Sequence, residues 1–408
     1  MSGLSIAPYF DFARMKIIGQ TVHEDAASAL IQLRPDERYR PTCHVCGQPA
    51  ATVHSQGHRR LIRDLNVAAS EVWLHVDYRK VWCAACEGAR VEQMSFCAAG
   101  KRVTQRLARY VYDLCKLLPV SQVAEHLDLD PKTVKDIDKS FLEQEFAATD
   151  YTGLRVLAFD EIALKKGHRY LTVALDWLTG RVVWMGKNRD KDTLDAFFAG
   201  MTAEQKAGIE AVAMDMWEPY INRVRHHCPQ AKIVFDFFHL VQAFGQVIDE
   251  VRREEYRQAE AQDKAVLKGS RFLLLKNKEN LTTTQRSRLA EVLALNQTLC
   301  TLYVLKDQLK LLYYYSDRDQ VQRALEDWCA MAAEVDDSSL RRFVKRLREF
   351  AYGILNHADY PIGTSVLEGV NNKIKLIKRR AYGYHDEDYF MLKVKQAFPG
   401  KNLTNFFG

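Results

Sequence analysis

The 408-residue sequence has no apolar run long enough to cross a lipid bilayer. Its first residues, MSGLSIAPYFDFARMK, also lack the basic, apolar and small-residue order of a secretory signal. These absences argue against a membrane partner and against export, so we expect a cytoplasmic protein of bacterial type. A strong excess of one charge is missing as well, since 58 lysines and arginines stand against 52 acids. The net charge of +6 permits a polyanionic partner without requiring one.

Hydrophobic residues make up 47% of the chain and charged residues 27%, a balance typical of a globular protein with a large core. The length predicts two to four domains. Cysteines number nine, and four of them form two C-x-x-C pairs, Cys43/Cys46 and Cys83/Cys86. In a reducing compartment this pattern indicates metal binding rather than disulfides.

Four thiolates are the ligand set of a closed structural zinc site, so we predict one Zn²⁺ held by Cys43, Cys46, Cys83 and Cys86, with no open position for catalysis. The pairs are 36 residues apart, and alternating apolar residues at 71–82 predict a β-hairpin in that interval. Three histidines are alternative ligands, although surface or packing roles are expected: His44, His54 and His58. Three arginines are expected on the intervening loop, either near phosphates or solvated: Arg59, Arg60 and Arg63.

Helical periodicity begins at Thr104, with apolar residues spaced i, i+4, i+7 and i+11 before Pro119: Leu107, Val111, Leu114 and Leu118. A short helix then opens at Ser121, and Asp130-Pro131 predicts the capped start of a second helix after a tight turn. Two short helices across a tight turn indicate a helix-turn-helix. In such modules the second helix meets base edges and phosphates, and here it exposes three polar side chains: Lys132, Thr133 and Lys135. A helical hairpin without a role in DNA binding is the alternative.

Three apolar runs at residues 154–159, 170–175 and 182–184 are separated by a charged, glycine-containing turn and by Thr179-Gly180. This pattern predicts a three-stranded antiparallel meander. Asp160 closes the first strand in this prediction. Desolvating a carboxylate there is costly unless a metal, a proton or a partner compensates it. Asp160 either ends the strand at the surface or belongs to a site that further acids complete.

Two more predicted strands also end in an aspartate, at residues 209–214 and 232–235, with helices expected at 191–199 and 218–227. If the strand ending at Asp215 lies beside the strand carrying Asp160, both carboxylates point into one cleft. Asp236 and His239 crowd the neighbouring strand end and could support the other acids from behind. Capping the helix that follows explains Asp236 almost as well.

Residues 240 to about 350 show helical patterns throughout and predict an all-helical insertion. It includes a basic run, either a solvated face or a phosphate-binding surface: Arg341, Arg342, Lys345, Arg346 and Arg348. In the stretch SVLEGVNNKIKLIKRRAYGY, helical spacing puts Glu368 on one polar stripe with Asn372, Lys375 and Arg379. Glu368 is either a surface residue or the third acid of the site. The cations of this helix, Lys375, Arg379 and Arg380 among them, predict a phosphate-binding edge.

Three acids that converge from two strands and one helix suit a specific chemistry. Mg²⁺ prefers oxygen ligands and is held by few carboxylates together with water and substrate phosphate. Two such ions about 4 Å apart clamp the attacking and leaving oxygens of an in-line phosphoryl displacement. We therefore expect two catalytic Mg²⁺ ions held by Asp160, Asp215 and Glu368.

These motifs together resemble a DDE transposase of bacterial insertion sequences, of the ISL-three family. The resemblance rests on the cysteine pairs, the helix-turn-helix, a strand ending FDE, a second ending in Asp-Met, then FDFFH and finally LEGVNNKIKLIKRRAYGY. It implies an RNase H-like catalytic core interrupted by a helical insertion, with the catalytic acids at Asp160, Asp215 and Glu368. Asp236 competes with Asp215 for the second position.

The expected fold is α/β: an RNase H-like catalytic core with an all-helical insertion, preceded by a zinc ribbon and a helix-turn-helix domain. The expected domains are a zinc ribbon at 1–100, a helix-turn-helix at 101–147, the first part of the core at 153–240, the insertion at 241–355 and the last part of the core at 356–408. The expected function is cleavage and transfer of DNA strands at terminal inverted repeats, by a homo-oligomer. Two alternatives stay open: a domesticated, non-catalytic DNA-binding regulator, and an RNase H-like nuclease that cuts without joining.

Overall fold

A computed structural model describes residues 12–23, 27–98, 100–165, 169–362 and 364–400 of the chain. Of residues 165, 169, 364 and 365 it describes the backbone only. The chain divides into two compact units, Met1–Glu145 and Phe146–Gly408. The turn predicted between the first two strands of the meander, at residues 166–168, lies outside the described residues.

The first unit begins with a five-stranded sheet: β1 (Met15–Val22), β2 (Ser28–Pro35), β3 (Thr52–Val67), β4 (Ser70–Cys83) and β5 (Gly88–Val91). The strand order is β1-β2-β4-β3, with β5 paired to β4. The predicted alternation in β4 is confirmed, because Val72, Leu74 and Val76 are fully buried. The loop predicted for the three arginines is wrong: Arg59, Arg60 and Arg63 lie within β3. Arg63 is buried and forms an ion pair with Glu71, with 3.2 Å between Nη2 and Oε1.

Three helices complete the first unit: α1 (Gln105–Leu117), α2 (Val120–Leu127) and α3 (Pro131–Phe146). Thr104 caps α1 by accepting the Leu107 N–H, as a threonine at this position does well. Between α2 and α3, Asp128 takes a left-handed conformation, and Asp130 then accepts the N–H groups of Lys132 and Thr133. Ala124 and Val134 are buried in the helices' shared core. The helices form the helix-turn-helix that the sequence predicts.

The second unit is built on another five-stranded sheet: β6 (Val156–Lys165), β7 (Arg169–Asp176), β8 (Arg181–Lys187), β9 (Ala211–Met214) and β10 (Lys232–Phe235). The order is β10-β9-β6-β7-β8, with antiparallel pairing of β6, β7 and β8 and parallel pairing of β10, β9 and β6. Helices α4 (Lys191–Ala199), α5 (Ala203–Ala207) and α6 (Glu218–His227) connect these strands. The expectation that Asp160 closes its strand is wrong, because β6 continues to Lys165.

A long helical region follows β10: α7 (Phe237–Gln258), α8 (Ala261–Leu267), α9 (Arg271–Leu275), α10 (Thr283–Leu295), α11 (Gln297–Leu311), α12 (Arg318–Ala333), α13 (Ser338–Glu349) and α14 (Ala351–Asp359). Its core joins one face of the sheet, where Phe244 packs against Trp328 and Phe343. Two last helices, α15 (Thr364–Arg380) and α16 (Glu387–Ala397), pack on the opposite face. The sheet therefore lies between two helical layers, which is the predicted mixed α/β architecture.

Candidate active site

Strand register puts three aspartates in one row across the sheet. In the parallel strands β10, β9 and β6, Ala213 pairs with both Val234 and Ala158. Two residues further along each strand come Asp236, Asp215 and Asp160. Side chains two positions apart on a strand lie on the same face of the sheet. The three aspartates therefore lie on the same face as Ala158, Ala213 and Val234.

Helix α15 covers this face of the sheet. Its residues Leu367, Val370 and Ile374 are buried in the same hydrophobic cluster as Ala158 and the other strand residues of that row. The apolar face that the sequence predicts for this helix is thus the face that anchors it. The helix carrying Glu368 consequently crosses the layer into which the aspartates project.

Asp160 is held from two sides. Its Oδ1 accepts the backbone N–H of Glu161 at 2.7 Å, and its Oδ2 accepts the side-chain amide of Asn371 on α15 at 2.5 Å. Burial raises the pKa of Asp160, and the negative charge of Asp215 adds to the increase, whereas the two hydrogen bonds oppose it. The Asn371 contact joins residues 211 positions apart and was not foreseen from the sequence.

His239 lies between the other two aspartates. Its Nε2 is 2.9 Å from Oδ1 of Asp215 and 3.8 Å from Oδ2 of Asp236. Burial lowers the pKa of His239, but the hydrogen bond to Asp215 and the nearby carboxylates outweigh it and raise the pKa above its ordinary value. Burial raises the pKa of Asp236 to about 6. Asp236 also caps α7, since its Oδ1 accepts the Phe238 N–H at 2.8 Å, so the capping role considered from the sequence is present.

A fourth acid, missed by sequence reasoning, lies on the opposite face of β6. Burial raises the pKa of Glu161 to about 7, although the Arg189 guanidinium opposes the shift. The Arg189 Nε is 3.1 Å from Oε1 of Glu161, and its Nη2 is 3.9 Å from Oδ2 of Asp215. The same guanidinium stacks over Trp217, 4.6 Å from the ring centre. An acidic dipeptide inside an apolar strand was the available signal.

The helical region is bound to the strand ends that carry Asp215 and Asp236. Arg346 of α13 donates to the carbonyl of Met216 at 2.7 Å, one residue after Asp215. The hydroxyl of Tyr313 donates to the carbonyl of Phe235 at 3.2 Å, one residue before Asp236. These bonds hold the backbone directly after Asp215 and directly before Asp236. Arg346, predicted as part of a basic surface, therefore has a structural contact.

Glu368 is exposed on α15, one helical turn before Asn371. Within the described part of the chain, no hydrogen bond or ion pair engages its carboxylate. A compact ligand set is formed instead by Asp215, Asp236 and His239, whose ligand atoms lie within 4.8 Å of one another. Asp160 is adjacent in the row but outside this set. The structure thus brings Asp215 and Asp236 together, and leaves Glu368 exposed on α15 outside that ligand set.

The chemistry of these groups fits a divalent cation. Three carboxylates in a half-buried row repel each other, and the raised pKa values of Asp160 and Asp236 express that burial and repulsion. Carboxylate oxygens are the donors that Mg²⁺ prefers. The imidazole of His239, bonded to Asp215, is better suited to orienting a carboxylate than to binding Mg²⁺ itself.

The four predicted zinc ligands converge in the first unit. The sulfur atoms of Cys43, Cys46, Cys83 and Cys86 lie within 4.8 Å of one another. Burial and the neighbouring thiols raise the pKa of Cys83 and Cys86, whereas the Cys43 thiolate, although disfavoured by burial, accepts from the backbone N–H groups of Cys46 and Val45, which lower its pKa to about 6. A thiolate so stabilised is a ready ligand for a soft cation, so the donor set fits a tetrahedral Zn²⁺.

The residues predicted to contact DNA occupy exposed or half-buried positions. Lys132 is exposed at the start of α3, while Thr133 and Lys135 are half-buried there. Lys375, Arg379 and Arg380 are exposed on α15. No helix among the described residues is long and apolar enough to cross a membrane.

Three family models match the chain. One described as a transposase matches residues 157–394, one described as the helix-turn-helix domain of transposase family ISL3 matches 92–142, and one described as a zinc-finger of transposase IS204/IS1001/IS1096/IS1165 matches 40–86. The chain is 40% identical over 381 residues to the transposase for insertion sequence element IS1001 of Bordetella parapertussis, covering 92% of this chain and 93% of that protein. It is 27% identical over 404 residues to the transposase for IS1557 of Mycobacterium tuberculosis, covering 93% and 90%.

Proposed function

The chain belongs to the ISL3 family of insertion-sequence transposases, and on this premise we propose that it cuts and joins DNA with Asp160, Asp215 and Glu368 as its catalytic acids. The zinc ribbon and helix-turn-helix would bind the terminal inverted repeats of its element. The catalytic unit would then act on the phosphodiester at the element's end and on target DNA.

The observation that supports the proposal most strongly is the row of aspartates beneath α15. Asp160 and Asp215 stand level on adjacent parallel strands, and the helix that covers them carries Glu368. Asn371 bonds Asp160 from a position one turn after Glu368, so the helix face bearing Glu368 borders the aspartates.

In this proposal the three acids would hold two Mg²⁺ ions, whose bound charge would supply activation of a nucleophile and stabilisation of the leaving oxygen in phosphoryl transfer. The chain's other residues orient these acids. Asn371 keeps one oxygen of Asp160 fixed, and His239 does the same for Asp215. Such outer partners fix the ligand direction and tune affinity for the cation.

Asp215 is preferred over Asp236 as the second acid. Asp236 caps α7 and only 8% of its side chain is exposed, whereas 22% of the Asp215 side chain is exposed. Among the described residues, the carboxylate of Asp215 contacts only side chains, His239 at 2.9 Å and Arg189 at 3.9 Å. Asp236 and His239 are then assigned to the outer layer of the site, where they orient the catalytic acids.

DNA contacts are assigned to both units. Lys132, Thr133 and Lys135 at the start of α3 would meet base edges and phosphates. Lys375, Arg379 and Arg380 would contact phosphates beside the catalytic acids. Because two element ends must be joined, we expect a dimer or larger assembly.

The test is Glu368→Gln in a strand-cleavage assay with Mg²⁺, on duplex DNA carrying an end of the element that encodes the chain. Cleavage should fall to background while binding to the end, measured by gel shift, is retained. Retained cleavage would remove Glu368 from the site. A strand-transfer assay separates a transposase from a nuclease that only cuts, and absence of cleavage by the wild-type chain would favour a non-catalytic regulator.

A further inference from the structure

Tyr382 has an unusual position at the end of α15. Its N–H donates to the carbonyl of Arg379 at 3.0 Å, and the N–H of Gly383 donates to the carbonyl of Lys378 at 2.9 Å. This pair of bonds is the Schellman ending of a helix, in which the residue at Tyr382 takes a left-handed conformation and is usually glycine. Tyr382 takes that conformation, with φ of 53°.

The ring gains nothing from packing in return. Tyr382 is 97% exposed, more than any other large hydrophobic side chain among the described residues. A tyrosine in a strained backbone position normally needs a compensating role, and burial does not supply one here. The exposed ring is therefore available to a partner.

A polar track on α15 leads from Glu368 to this ring. The track consists of Glu368, Asn372, Lys375 and Arg379, spaced i, i+4, i+7 and i+11, and all four are exposed. It lies beside the line of Asn371 and Lys378, whose side chains donate to Asp160 and to the carbonyl of Leu164 on β6. From Glu368 to the helix end at Arg380 the axial distance is about 18 Å.

An exposed aromatic ring next to cations is the combination with which proteins hold single nucleic-acid strands, because bases stack on rings while phosphates meet lysine and arginine. An apolar protein partner would need a wider unpartnered face than one ring flanked by Lys375 and Arg379. The charge of the track therefore favours a nucleic-acid strand.

We propose that Tyr382 stacks on a base of the transposon-end strand whose phosphates contact Lys375 and Arg379, with the cleaved phosphodiester at Glu368. This inference rests on the proposed function. For a strand that runs parallel to α15, the duplex rise of about 3.4 Å per nucleotide puts the stacked base about five nucleotides from the cleavage site. That base must be unpaired or unstacked when the ring contacts it.

The decisive variant is Tyr382→Gly, because glycine suits the left-handed backbone and should keep or raise the melting temperature. Its rate of strand cleavage should nevertheless fall roughly 10-fold or more, as expected for loss of one stacked base. Tyr382→Phe should cleave at the wild-type rate. Tyr314→Ala is the matched control, since Tyr314 is 82% exposed on the helical insertion, and should have no effect on cleavage.

A photocrosslink locates the contact. Single 5-iododeoxyuridines are placed at successive positions of the end duplex, and the crosslinked residue is identified by mass spectrometry. We expect crosslinking to Tyr382 from a position about five nucleotides from the cleavage site, and the same crosslink with Glu368→Gln. Wild-type cleavage at the full rate by Tyr382→Gly, or a crosslink elsewhere in a chain that cleaves normally, would overturn the inference and leave the proposed function standing. A Tyr382 crosslink in a wild-type chain that never cleaves would support the stacking and refute the catalytic assignment.

Discussion

The Asn371–Asp160 hydrogen bond predicts a defined loss of activity when it is removed. Asn371→Ala deletes a donor that lies 2.5 Å from a carboxylate oxygen in a half-buried site. A hydrogen bond to a charged group contributes about 1.5–3 kcal/mol, which corresponds to a roughly 10- to 100-fold effect. That range also matches the usual effect of changing a group that orients a metal ligand.

The assay is the initial rate of strand nicking on labelled end DNA, measured over a series of Mg²⁺ concentrations. Asn371→Ala should raise the Mg²⁺ concentration that gives half-maximal rate, because Asp160 is no longer held in one orientation. Asn222→Ala is the matched control, since Asn222 is exposed on α6. Wild-type Mg²⁺ dependence in the Asn371 variant would refute a role of Asn371 in orienting Asp160 for the cation.

Three further predictions concern stability. Cys83→Ser should reduce bound zinc from one per chain to none and unfold the first unit, because a closed zinc site contributes to folding. Metal analysis and circular dichroism measure the two effects. Unchanged zinc content would contradict the ligand set. Burial lowers the pKa of Lys306 from 10.5 to about 8. Between these two pH values the unfolded chain keeps a proton on Lys306 that the folded chain has lost. The free energy of unfolding should therefore rise with pH over this range. Lys306→Met should remove this rise, measured by urea unfolding at several pH values. An equal rise of the free energy of unfolding with pH in both proteins would contradict the assignment to Lys306. Gly353→Ala puts a methyl group 2.2 Å from the Phe235 ring and should destabilise the second unit by about 1–3 kcal/mol, whereas Gly369→Ala, with nothing within 4 Å, should stabilise it by about 0.5–1 kcal/mol.

Local signals made much of the fold predictable. The bounds expected for α4 and α6 are confirmed, and so is the strand that ends before Asp236, because capping residues and changes of apolar period lie at those boundaries. Asp190 accepts the Thr193 N–H at the start of α4, for example. The end of β6 was misjudged because Asp160 interrupts the apolar run, while pairing with β7 carries the strand onward to Lys165.

The side-chain contacts made by the acids of the site could not be predicted from the sequence. Asn371 meets Asp160 across 211 residues, and no periodicity in either segment signals that approach. Arg189 and Glu161 likewise come together through the stacking of the meander on α6, where Trp217 supports the guanidinium. Motif position predicted the catalytic acids, but only the packing of helix on sheet shows which groups form hydrogen bonds with the aspartates.

The proposed function requires that Asp160, Asp215 and Glu368 share one pocket for divalent cations. The most direct measurement is anomalous scattering from crystals of the chain with end DNA and Mn²⁺ in place of Mg²⁺. Two peaks about 4 Å apart, coordinated by side-chain oxygens of residues 160, 215 and 368, are the predicted result. Mn²⁺ held by Asp215, Asp236 and His239, with Glu368 still directed into solvent, would contradict it.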